Sequence, residues 1–182
     1  RMTTTLDSTI DLDASRVSLY RLVDVELRKL VNTRAGLWLL ILIGGMVVLV
    51  EGVLVLTAIR FDEVIPWSFM FQVMATPLGL LLAVLGVMTV TSEWGQRTSL
   101  VTFSLEPRRM RIVSAKLLAG LLATVLLLLF TFVLTAGLNA LQSSVIGVEP
   151  VWDVPRSDLM AYAISHMSAF ILGFAFGMLI PN

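Results

Sequence analysis

The chain has 182 residues, of which 57% are hydrophobic and 14% charged, with a formal net charge of zero and a mean hydropathy of +0.91. This composition excludes an ordinary soluble domain, and the charge balance gives no footprint for nucleic-acid binding. With no cysteine and one histidine, disulfides, thiolate chemistry, Cys-based zinc sites and a His-rich metal site are excluded.

Residues 1–12 are rich in Thr and Asp and read as a mobile terminus. Over 13–34 the pattern changes. Val17, Tyr20, Val23, Leu27, Leu30 and Val31 recur at helical spacing, while Arg16, Arg21, Asp24, Arg28 and Lys29 fall largely on the other side. This predicts an amphipathic helix lying in the membrane interface, with Asp13 or Ser15 as its N-cap.

The transmembrane domain, 35–182, holds four apolar runs at 37–59, 67–90, 112–141 and 159–180. Each is about the ~20 residues that an α-helix needs to cross a bilayer. Strand-like alternation is absent, and a spanning segment must satisfy its own backbone groups. The predicted fold is therefore all-α and polytopic, an interfacial helix followed by four spans.

The first span contains Glu51, a carboxylate that is costly in hydrocarbon and predicted to face a bundle interior or water. After the short loop 60–66, the second span carries Trp67 at its start, then Pro77, which is expected to kink it, then Gly79 and Ala83. The third span places Thr131, Thr135 and Asn139 on one side, as interhelical hydrogen-bonding residues. The longer loop 142–157 holds Pro150, Trp152 and Pro155. Trp67 and Trp152 are expected in an outer aromatic belt and Trp38 in an inner one. In the fourth span, His166 sits at a depth similar to Glu51. The two are candidates for an intramembrane polar site, by pairing or by lining a polar path. Gly173 and Gly177 are spaced for close helix packing.

Charge sets the orientation. Arg16, Arg21, Arg28, Lys29 and Arg34 precede the first span, and Arg97, Arg108, Arg109, Arg111 and Lys116 lie between the second and third. The other two loops hold only Arg60 and Arg156. The positive-inside rule then predicts a cytoplasmic N-terminus and a cytoplasmic loop over 92–111.

That loop is the most specific segment. Glu93 is followed by Arg97-Thr98, by the apolar residues Leu100, Val101, Phe103 and Leu105, and by Pro107-Arg108-Arg109, with Lys116 just inside the third span. It resembles the first cytoplasmic loop of ABC-2 type permeases, the membrane subunits of one class of bacterial ABC exporter. The order of elements is similar along nearly the whole chain, although the family has six spans and this sequence has four. The resemblance implies a chain cut short after its fourth span. It also implies a multi-pass protein of the bacterial inner membrane, paired with a second permease subunit as a homo- or heterodimer. A cytosolic ATPase partner would bind ATP and Mg, with Glu93, Arg97, Thr98, Leu100, Phe103, Arg108 and Arg109 coupling the two.

No G-x-x-x-x-G-K-[ST] phosphate loop is present. The chain is accordingly expected to have no cofactor and no enzymatic activity of its own. The rival reading is a non-transporting scaffold or sensor that docks a cytosolic partner through the basic loop. An intramembrane enzyme is disfavoured, because no H-E-x-x-H or G-x-S-x-G motif occurs.

Overall fold

The computed structural model describes residues 18–95 and 109–179, with the side chains of 93–95 and 109 outside the description. Of the described residues 89% are helical, and none lies in a strand. Five helices follow in order among the described residues: α1, Leu19–Asn32; α2, Arg34–Phe61; α3, Trp67–Gly95; α4, Arg109–Ile146; and α5, Arg156–Leu179. The last four are long and apolar enough to cross a membrane.

Each boundary has a local cause. The Ser18 side chain caps α1 by accepting from the Arg21 amide, while Asp13 and Ser15 lie outside the described residues. Thr33 closes α1 and opens α2. Its amide donates to the Lys29 carbonyl at 3.0 Å, and its hydroxyl oxygen accepts from the Gly36 amide at 3.2 Å. A Cβ at Gly36 would stand 2.1 Å from the Leu30 carbonyl oxygen, so only glycine permits a one-residue corner here.

At the far end of α2, Asp62 adopts the left-handed conformation, φ 58°, and its amide donates to the Ala58 carbonyl. Gly147, φ 85°, ends α4 in the same way, with its amide on the Ser143 carbonyl. Both α3 and α5 begin directly after a proline. The Pro66 carbonyl accepts from the Phe69 and Met70 amides, and the Pro155 carbonyl from those of Asp158 and Leu159. Helix α4 runs five residues past the predicted span, so Gln142 and Ser143 lie buried within it rather than in a loop.

Periodicity decides what faces inward. On α2 the buried residues are Gly36, Leu39, Ile43, Val47, Glu51, Val55 and Ala58, a stripe at steps of three and four. Leu42, Leu49, Val53 and Leu56 face outward, where lipid is as apolar as they are. On α3 the inward stripe is Met70, Met74, Leu78, Leu82 and Leu85. Pro77 lies inside α3, which continues unbroken through it.

The most extensive contact joins α3 to α5. Small residues allow it: a Cβ on Gly173 would come within 2.0 Å of the Ala83 carbonyl oxygen, and one on Gly86 within 2.3 Å of the Phe170 carbonyl oxygen. Gly177 lies against Val87. These glycines are spent on a contact inside the chain. Helices α3 and α4 each also contact α2 and α5, and α1 packs on α4 and α2.

Candidate functional site

Glu51 stands at the centre of the inward stripe of α2, fully buried, and neither of its carboxyl oxygens has a hydrogen-bond partner. The packing that buries Ile43, Val47 and Val55 carries Glu51 in with them. Tyr162 of α5 lies within the electrostatic reach of the Glu51 carboxyl. The Tyr162 hydroxyl is likewise buried without a partner.

His166 lies one turn further along α5, 2% exposed, with its ring 4.0 Å from that of Tyr162. Its Nε2 meets the Ala75 carbonyl oxygen of α3 at 3.1 Å. Its Nδ1 lies 2.7 Å from the Tyr162 carbonyl oxygen and 3.3 Å from the Ser165 hydroxyl. Both ring nitrogens are thus engaged by uncharged oxygens, and Glu51 and His166 do not form a pair. Tyr162 was not among the sequence candidates. Its signal was its position four residues before His166, on the same helical face.

An aromatic path reaches the site from the end of the bundle that carries the loops 62–66 and 147–155. Trp152 and Trp67 are 4.9 Å apart, Trp67 and Phe71 5.4 Å, and Phe71 and Tyr162 5.1 Å. Trp67 is 6% exposed, so it is a packing residue of this path rather than the interfacial anchor its position suggested. Trp38 and Trp152 are exposed. Two cavities adjoin the path. One, of about 170 Å³, is lined by Ser68, Phe71, Gln72, Asp158, Leu159 and Tyr162. The other, of about 230 Å³, is lined by Phe71, Leu128, Phe132, Tyr162 and Met167 among others.

A polar clasp closes the same end. The Ser68 amide and hydroxyl donate to the two Asp153 carboxyl oxygens at 2.9 and 2.5 Å. Gln142 holds the backbone of Ile65 in both directions, its amide nitrogen donating to the carbonyl at 2.7 Å and its oxygen accepting from the amide at 3.4 Å. Asn139 donates to the Val151 carbonyl at 3.0 Å and accepts from Gln142. Burial alone would raise the Asp153 carboxyl, but hydrogen bonds from the Ser68 hydroxyl and amide, with those from the Asp153 and Trp67 amides, together hold it below the usual carboxylate range. The hydroxyls of Thr131 and Thr135 donate to carbonyls of their own helix, so these two are not interhelical ties.

At the opposite end, Glu26 of α1 accepts from Lys116 of α4 at 2.8 Å and from Lys29 at 2.6 Å. Glu26 and Lys116 are each about nine-tenths buried, so α1 is fastened to the first turns of α4. Of the expected coupling residues, Arg97, Thr98, Leu100, Phe103 and Arg108 lie outside the described residues. Glu93 and Arg109 are described only as backbone of α3 and α4. Among the described residues no group of three His, Cys, Asp or Glu could hold a metal ion.

Fold and composition together define a polytopic, all-α, multi-pass membrane protein. Comparison with protein-family models, curated proteins and solved structures gives no match.

Proposed function

We propose that the chain is the membrane-spanning permease subunit of an ABC exporter, driven by ATP hydrolysed on a separate cytosolic ATPase. The carrying observation is the loop between α3 and α4. It sets an apolar stretch, Leu100, Val101, Phe103 and Leu105, between basic residues on the side that the charge asymmetry assigns to the cytoplasm. A partner groove gives those apolar residues a burial site.

Two further features support the reading. In sequence these residues lie between two helices long enough to span, so force applied to them would reach the bundle. The buried Glu26–Lys116 pair makes α1 follow the first turns of α4. A second permease subunit of the same or a different kind would complete the pathway, and a bacterial inner membrane would house it.

The test is charge reversal at Arg97 or Arg108, or paired substitution of Leu100 and Phe103, in the intact transporter. Buried contacts at an interface centre are worth about 1–3 kcal/mol each. The expected outcome is normal membrane insertion with substrate-stimulated ATPase activity lost. Full stimulation in these variants would remove the coupling role. A scaffold would show no substrate-stimulated hydrolysis in either form.

A further inference from the structure

A thin segment covers the end of the bundle that carries the polar clasp. Residues 148–155 belong to no helix, and none of them is buried; Pro150 and Val154 are half-buried and the rest exposed. What lies beneath is closed off. Asn139, Gln142 and Ser143 of α4 are fully buried, and Trp67 of α3 nearly so. Two polar atoms there, the Ser143 Oγ and the Trp67 Nε1, have no hydrogen-bond partner among the described residues. Buried polar atoms normally have one. A state in which water reaches this layer would hydrate both.

Few ties hold the segment down. The Val151 carbonyl accepts from the Asn139 side chain at 3.0 Å, and the Asp153 carboxyl accepts from Ser68. The Trp152 ring lies edge-on to Trp67 at 4.9 Å, and Val154 packs on the cluster of Trp67, Met70 and Phe71. All four ties land on the start of α3 and the end of α4. Both ends of the segment are pivots. Gly147, with φ 85°, stops α4, and Pro155 stands directly before α5. Pro150 and Pro155 fix φ at two points between them, which stiffens the segment. A stiff segment without buried residues, tied at a few points and pivoted at its ends, belongs to the low-stability part of a fold and lifts as one unit.

We infer that residues 148–155 form a strap that opens as a unit. Opening bares the polar face of α4 at Asn139 and Ser143, the Trp67 indole, and the cavity of about 170 Å³ that Val154 lines together with Ser68, Gln72 and Asp158. The inference deepens the transporter reading by placing an exit gate at this end, and it rests on that reading for the passage of cargo. The opening itself requires neither ATP nor the ATPase.

Two measurements on the full chain in nanodiscs test it. The first is hydrogen exchange in the unaltered protein. The Ser68 amide, the Asn139 side-chain amide and the Trp67 indole N–H should share one protection factor, because one opening exposes all three. The backbone amides of Leu82 and Phe170, in the α3–α5 contact, should be protected more strongly. The second uses Ser143→Cys in this otherwise Cys-free chain, with a membrane-impermeant maleimide. Labelling should be slow, and Trp152→Ala combined with Asp153→Ala should speed it by about tenfold or more. Thr124→Cys, equally buried further along α4, should stay slow in both backgrounds.

Unequal protection of the three groups would overturn the strap. So would fast labelling at position 143 with the ties intact, an unchanged rate without them, or equal acceleration at position 124. Failure of the Trp152→Ala, Asp153→Ala chain to fold would overturn it as well, by making the segment part of the structural core. None of these outcomes involves residues 96–108, so the strap and the coupling role fail separately.

Discussion

Asp153 shows how one side chain fixes the geometry of an entire end of the bundle. It caps the first turn of α3 from a loop 85 residues away in sequence, through both the amide and the hydroxyl of Ser68. Its carboxyl is held below the ordinary range, so the sign of its pH dependence is fixed. The stabilisation is complete above the unfolded-state value, about 3.9, and is lost as pH falls through the lower folded-state value. The protection factor of the Ser68 amide, the unstructured exchange rate at the same pH divided by its own, should therefore hold down to mildly acidic pH and fall only below it. Asp153→Asn should exchange faster than the parent at neutral pH, and equal protection in the two proteins would contradict the capping role. Glu51 illustrates the other extreme. Its type and its place in a span marked it as exceptional, yet its surroundings were not readable from sequence. Equal depth with His166 suggested a pair, but depth says nothing about rotation around the helix axis. The packing of α3 against α5 turns His166 toward the Ala75 carbonyl, and both oxygens of Glu51 remain without a hydrogen-bond partner.

At the level of helices, the sequence was readable wherever one physical signal dominated. Four apolar runs became four spanning helices because hydrocarbon leaves the backbone no other partner. Helix ends were less readable, since they depend on caps. Ser18, Thr33, Asp62 and Gly147 set them, and α4 extends through Gln142 and Ser143 because their polar side chains face inward, not water. Small residues were readable as packing sites but not as to partner. Gly173 and Gly86 lock α5 onto α3, and this predicts a contrast. Gly173→Ala should cost about 1–3 kcal/mol or more by overpacking, since its new methyl would meet the Ala83 carbonyl oxygen at 2.0 Å. Gly137→Ala and Gly45→Ala meet nothing within 4 Å. They should be neutral or stabilising by about 0.5–1 kcal/mol, because alanine is the better helix former. Thermal unfolding in detergent would read both effects, and equal destabilisation by all three substitutions would contradict the α3–α5 contact.

For the whole molecule, four helices long and apolar enough to cross a membrane form the bundle, and the proposed function rests on residues 96–108, which lie between two of them in the sequence. Leaving Arg1 aside, ten basic residues in one set of segments against two in the other predict a cytoplasmic N-terminus. Introduced cysteines can test it, because the chain has none of its own. Arg28→Cys and Glu149→Cys occupy exposed positions at opposite ends of the bundle. In intact cells a membrane-impermeant maleimide should label position 149 and leave position 28 unlabelled until the membrane is opened. Labelling of position 28 from outside would reverse the assignment. The claim that the chain serves an ATPase is tested most directly by a photo-cross-linking amino acid at Leu100 in the protein expressed in its native cells, with the adduct identified by mass spectrometry. The account predicts a covalent adduct with a cytosolic protein that carries a G-x-x-x-x-G-K-[ST] phosphate loop, formed through that protein's surface and lost on charge reversal at Arg97. Adducts confined to lipid, or to a protein without a phosphate loop, would contradict it.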